Sequence, residues 1–160
     1  MSLRSPRHMA GTALIALSAT ATLTLTAASS ASATSRTNYC GSSYTFVKSW
    51  PLQGLDWTRE PGKTVGYIDI YYSRATGRNC AIARPDNSVP NPRRISVKIR
   101  RSGHAWRQYD GWGNGSNYTH YAGPVYQSAP GACIDFAGGF SYNQGNGYQP
   151  WSEYTRKHCG

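Results

Sequence analysis

Acidic residues are scarce in this chain: 7 Asp and Glu stand against 17 Lys and Arg in 160 residues. The few oxygen donors of the glycine-rich stretch, Asp110, Asn114 and Asn117, miss the ligand spacing of a calcium loop. No serine sits in a G-x-S-x-G elbow and no triad order is recognisable. A glycine-rich phosphate loop ending in lysine is absent, as are kinase signatures. No two cysteines are spaced C-x-x-C, which argues against a four-cysteine zinc site. No window carries a convincing helical period, so helices are not expected to build the core.

What the chain does carry begins with its first 33 residues. Met1–His8 holds Arg4, Arg7 and His8 without an acid, and Met9–Ala28 is a mildly apolar run rich in Ala, Leu and Thr. Ala31-Ser32-Ala33 then offers small residues where a signal peptidase reads. The pattern predicts a secretory leader over 1–33 and a single exported β domain over 34–160. Thr and Ser interrupt the apolar run and no stop-transfer charges follow, so no membrane span is expected after cleavage. Arg4 and Arg7 are not adjacent, which gives the twin-arginine route no support. Removing 1–33 takes two arginines and no acid, leaving 15 cations against 7 anions, a charge of +8. Such a surface is drawn to polyanions such as wall teichoic acids, nucleic acid or acidic headgroups; the plainer reading is solubility.

All four cysteines, Cys40, Cys80, Cys133 and Cys159, fall after the leader. An even count in an exported chain reads as two disulfides, with three pairings open. Cys40–Cys80 with Cys133–Cys159 is the expected set, because each bond then closes one half of the domain.

Short alternating runs separated by Gly and Pro predict an all-β fold. The expected form is a small antiparallel sandwich or barrel of about seven to eight strands. A loose lead-in over Thr34–Asn38 should precede a first strand ended by Pro51. Thr64–Tyr72 and Cys80–Arg84 follow as strand and return strand. In Arg93–Arg101, Ile95, Val97 and Ile99 alternate with Arg94, Ser96, Lys98 and Arg100, as in a half-buried antiparallel strand. Trp106–Trp112 continues the sheet. Asn117–Phe136 reads as a hairpin turning at Ser128–Gly131, Gly138–Gly147 as a loop, and Tyr148–Tyr154 as a last strand.

Two constellations carry chemistry. His104, His120 or His158, paired with Asp69, Asp110, Asp135 or Glu153, would make an acid–base couple. Nothing in the spacing brings one pair together, so no catalytic residue is assigned. The other set is basic and aromatic: Arg94, Lys98 and Arg100, with Trp106, Tyr109 and Trp112. Outward positions on one strand lie roughly 6.5 to 7 Å apart. Cations meet phosphates and aromatic faces stack on sugars or bases, which makes these six the candidate anion- or glycan-binding residues. The competing reading is ordinary strand aromatics with wet polar tips. No cofactor, metal or specific nucleic acid is expected.

Cys40-Gly41-Ser42-Ser43-Tyr44 resembles the opening of the spore-associated protein A family of actinomycetes. So do Tyr71-Tyr72-Ser73, Thr76-Gly77-Arg78-Asn79-Cys80, and Asn117-Tyr118 through Tyr121-Ala122-Gly123-Pro124-Val125-Tyr126 to Cys133-Ile134-Asp135. The resemblance implies an exported protein found with aerial growth and spores, without an established enzymatic role. Its motifs are structural and lend no catalytic residue. The Arg-rich segment Arg93–Arg101 and the longer Gly/Asn loops depart from the family pattern. The expectation is a secreted, non-enzymatic structural or surface-associated protein of the cell envelope or spore. The alternative is a secreted module holding an anionic wall polymer or glycan, so the expected partner is a cell-wall polyanion or the spore surface. A third reading is a small hydrolase or nuclease using His104 or His120.

Overall fold

A computed structural model describes residues 36–54, 61–111, 116–142 and 150–160. The leader expected over 1–33 and the candidate residue Trp112 lie outside the described residues. Those described form eight strands and no helix: β1 (Thr45–Gly54), β2 (Lys63–Ser73), β3 (Arg78–Pro85), β4 (Arg93–Arg101), β5 (Gln108–Asp110), β6 (Ala122–Ser128), β7 (Ile134–Ser141) and β8 (Trp151–Lys157). They pair antiparallel into two four-stranded sheets, ordered β1-β2-β3-β6 and β5-β4-β7-β8.

The core lies between the sheets. Leu52, Ile68, Ile70, Ala81, Ala83 and Val125 of the first meet Ile95, Val97, Ile99, Ile134, Phe136 and Phe140 of the second in one buried cluster. Each large aliphatic or aromatic side chain buried this way contributes roughly 1.5 to 3 kcal/mol. The period-2 pattern dictates the arrangement: from Ile95 to Ile99 in β4 every second residue is an Ile or Val that joins the core.

Each disulfide serves one sheet, with the expected pairing. Cys40–Cys80 fastens the N-terminal segment to β3, while Cys133–Cys159 ties the start of β7 to the tail after β8. The first bond sits in a second cluster with Tyr71 and Ile82, against which Tyr44, Tyr121 and Tyr126 pack. The lead-in is therefore less loose than expected. Asn38 accepts from the Cys40 N–H and donates to the Gly41 and Tyr44 carbonyls, and Tyr39 stacks on Tyr121 at 3.9 Å.

Three expectations need correction. The stretch Asn117–Phe136 is not a hairpin, because β6 pairs with β3 in one sheet and β7 with β4 and β8 in the other. The Pro-Gly turn carries the chain from sheet to sheet, anchored where the Ala129 N–H donates to the Gly77 carbonyl. Alternation fixes which side chains face inward, not which strand a run will pair with. Second, β1 runs through Pro51, which lies opposite Tyr67. As an edge strand it can accommodate a residue that gives no ladder hydrogen bond. Third, β7 continues through Gly138 and Gly139 where a loop was expected. Neighbours crowd these glycines: a Cβ on Gly139 would lie 2.2 Å from the Pro150 carbonyl oxygen and 2.8 Å from the Trp151 ring.

The sheets meet along their edges in two ways. On the β1–β8 side the Tyr154 hydroxyl donates to the Pro51 carbonyl, and the Gln53 N–H to Ser152 Oγ at 3.0 Å. On the β5–β6 side Asp110 bridges, accepting from the Gly123 N–H at 2.8 Å and the Tyr118 hydroxyl at 3.0 Å.

Candidate functional site

The outward face of β5-β4-β7-β8 gathers most of the expected binding residues. Register sets Tyr109, Lys98, Ala137 and Glu153 in one row across the four strands. The adjoining row runs Ser96, Gly139, Trp151. Ala137 and Gly139 leave the middle of this face low, and Gly139 lets Trp151 lie close to the sheet. Lys98 stands over that floor with its Nζ 4.1 Å from the Trp106 ring centroid and 5.2 Å from that of Trp151. Trp151 is 42% exposed and Tyr109 56%.

Lys98, Arg100, Trp106 and Tyr109 are therefore brought together; Arg94 is not. β4 inserts an extra residue between Arg93 and Ser96, and Arg94 takes it up with a left-handed φ of 50°. A β-bulge breaks the alternation locally and removes Arg94 from the outward row. Trp151 is the residue that sequence reasoning missed. Its signal was its place on an alternating last strand, but only the β7–β8 register shows that it reaches Lys98.

Arg100 has another duty. Its Nε donates to Asp135 Oδ2 at 2.9 Å, and its Nη2 approaches Glu153 at 4.0 Å. Asp135 is buried and also accepts from the Ser102 hydroxyl at 2.5 Å and the Arg156 N–H at 2.8 Å. Burial alone would raise its pKa and is the largest influence. The Arg156, Ser102 and Arg100 hydrogen bonds together outweigh it and hold the carboxyl below its ordinary 3.8. Arg100 also lies against Trp106, 4.2 Å from the ring centroid. This guanidinium is a strut between β4, β7 and the Trp106 hairpin more than a free cation. The expected row of three cations thus reduces to one ammonium among aromatic rings. Indole and phenol faces stack on the C–H faces of sugars, and a lysine beside them can donate to hydroxyls or pair with an acidic substituent.

Each described histidine has its own surroundings. His120 Nδ1 is 2.9 Å from Thr119 Oγ1, and His158 Nδ1 is 2.8 Å from Asn79 Oδ1, its ring edge-on to Tyr72. Burial lowers the His158 pKa from 6.5. His104 lies exposed in the β4–β5 turn beside Arg101 and Arg107. The described acids are occupied: Asp69 with Ser49, Arg84 and Arg36, Asp86 with Ser88, Asp110 and Asp135 as above, and Glu153 near Arg100. Among the described residues, no group of three or more His, Cys, Asp or Glu is placed to hold a metal ion.

No family model matches the chain, and no solved structure does. Among curated proteins, Spore-associated protein A of Streptomyces coelicolor is 35% identical over 104 residues, covering 65% of this chain. The matched region spans 58% of that relative's length. The likeness supports the resemblance to the spore-associated protein A family carried by Cys40–Tyr44, Thr76–Cys80 and Tyr121–Asp135.

Proposed function

We propose that this is an exported, non-enzymatic protein of the cell or spore surface that holds a wall glycan against its β5-β4-β7-β8 face. The observation that carries the reading is Lys98 set between Trp106 and Trp151 over Ala137 and Gly139, with Tyr109 beside it. Tyr109 and Trp151 stay exposed around the Lys98 ammonium, and exposed aromatics grouped about a cation suit an interaction site. Surface placement is supported by the relative's name, by the leader pattern over 1–33, and by two disulfides that suit an oxidising compartment. The non-enzymatic reading is supported by the partners of His120 and His158, which are Thr119 and Asn79, and by a His104 cleft that no carboxylate lines among the described residues.

Retention on purified cell wall tests the proposal. The parent protein should bind, and a Trp106→Ala/Trp151→Ala double variant should bind at least about tenfold more weakly, since each aromatic stacking contact contributes roughly 1 to 3 kcal/mol. Equal retention of parent and variant would remove this face from the account. Cleavage of wall material by the parent would overturn the non-enzymatic reading, and its loss in His104→Ala or His120→Ala would assign the chemistry to that histidine.

A further inference from the structure

The β4–β5 hairpin that sends Trp106 to one side turns a different set of residues to the other. Arg101, His104, Arg107 and Gln108 from the hairpin join Gln127 and Ser128 of β6 around a cleft of about 450 Å³. β5 and β6 are edge strands of different sheets, so the cleft opens where the sandwich is not closed by a shared strand. A turn places Arg101 and His104 side by side: the His104 N–H donates to the Arg101 carbonyl at 3.1 Å, with Gly103 at φ 81° between them.

The cations of this cleft differ from the arginines that brace the sheets. Arg36, Arg84 and Arg100 are paired with buried Asp69 and Asp135. Among the described residues no carboxylate pairs with Arg101 or Arg107, and none lines the cleft. Two guanidinium groups held together without a counter-charge repel one another, and a bound anion relieves that repulsion while the His104 ring can donate to it. The neutral lining suits the same guest. Gln108 and the Ser128 hydroxyl can bond oxygen atoms, while the Gln127 amide nitrogen already donates to the Ser128 carbonyl at 2.8 Å.

We infer that Arg101, His104 and Arg107 form an anion site for the phosphate groups of a polyol or sugar phosphodiester chain. Guanidinium matches a phosphate's geometry bidentately, and two of them can clamp one group. A polyol chain fits better than a nucleic acid because no Phe, Tyr or Trp lines the cleft, leaving a base only the His104 ring and the guanidinium planes to stack upon. The site is separate from the aromatic face and does not depend on the reading given to that face.

Calorimetric titration of the full chain with poly(glycerol phosphate) at fixed ionic strength tests the inference. An Arg101→Gln/Arg107→Gln variant should bind about tenfold more weakly for each guanidinium removed. Arg93→Gln/Arg94→Gln makes the same charge change at the far end of β4 and should stay within about twofold of the parent once general charge is allowed for. Both pairs are exposed, so near-ultraviolet spectra of the variants should match the parent. Equal losses in the two double variants would reduce the effect to net charge and overturn the site. No binding by the parent would overturn it too. Tighter binding of a single-stranded oligonucleotide, lost on Arg101→Gln/Arg107→Gln, would reassign the cleft to nucleic acid.

Discussion

At the residue scale the scarce acids decide a great deal. Asp135 gathers Arg100, Ser102 and the Arg156 N–H at one buried carboxylate, tying β4, the β4–β5 turn and β8 to β7. Asp135→Asn keeps the shape and removes the charge, leaving Arg100 without its counter-ion. The expected loss is about 3 kcal/mol at neutral pH, measured by denaturant unfolding. The folded-state pKa is lowered, so this stability is present above the ordinary 3.8 and is lost as pH falls through the lower folded value. Asp135→Asn should therefore flatten the acid limb of the stability profile below about 3.8. His158 runs in the same pH direction for the opposite chemical reason. Burial lowers its pKa, so the folded state favours the neutral ring and stability declines as pH drops below 6.5 towards the folded value. His158→Gln should remove that decline, as read from melting temperatures across pH 5 to 8, a range centred on an ordinary histidine pKa.

At the element scale, two features tie the ends of β7 to its surroundings. Cys133–Cys159 closes a loop with a sequence separation of 26. Replacing both cysteines with alanine should cost about 3.5 kcal/mol by the chain-entropy account, seen as a lower midpoint in denaturant. At the other end, Gly139→Ala pushes a Cβ into the Pro150 carbonyl and the Trp151 ring, and should destabilise the protein by about 1 to 3 kcal/mol. The same change should weaken wall retention, because it lifts Trp151 from the floor beside Lys98. These elements also show what a sequence can reveal. β4 was legible to its ends, since Ile95, Val97 and Ile99 alternate without interruption. The separation of β6 from β7 was not legible: a proline-glycine turn looks the same whether its strands pair or part. Nor was the bulge at Arg94, which depends on how β4 fits β7 rather than on the residues of β4 alone. Of the proposed binding face, Lys98, Arg100, Trp106 and Tyr109 were local in sequence and so were found. Trp151 arrives from a strand more than forty residues away and required the register.

Across the whole molecule, the two sheets divide the labour. The outer side of β1-β2-β3-β6 is partly covered by the N-terminal segment, with the Tyr126 hydroxyl on the Cys40 carbonyl, the Tyr39–Tyr121 stack and the first disulfide, while Tyr39 and Phe46 stay exposed there. The outer side of β5-β4-β7-β8 leaves Tyr109 and Trp151 exposed around Lys98. The proposed recognition lies on the second sheet, where Lys98 stands between the Trp106 and Trp151 rings. Its most direct test is nuclear magnetic resonance of the indole N–H signals during titration with soluble wall glycan fragments. Trp106 and Trp151 should shift in step with saturation, while Trp50, packed against Phe136 and Tyr154 on the inner side, should stay still. Shifts at neither Trp106 nor Trp151, while the intact wall still retains the protein, would contradict the claim that this face does the holding.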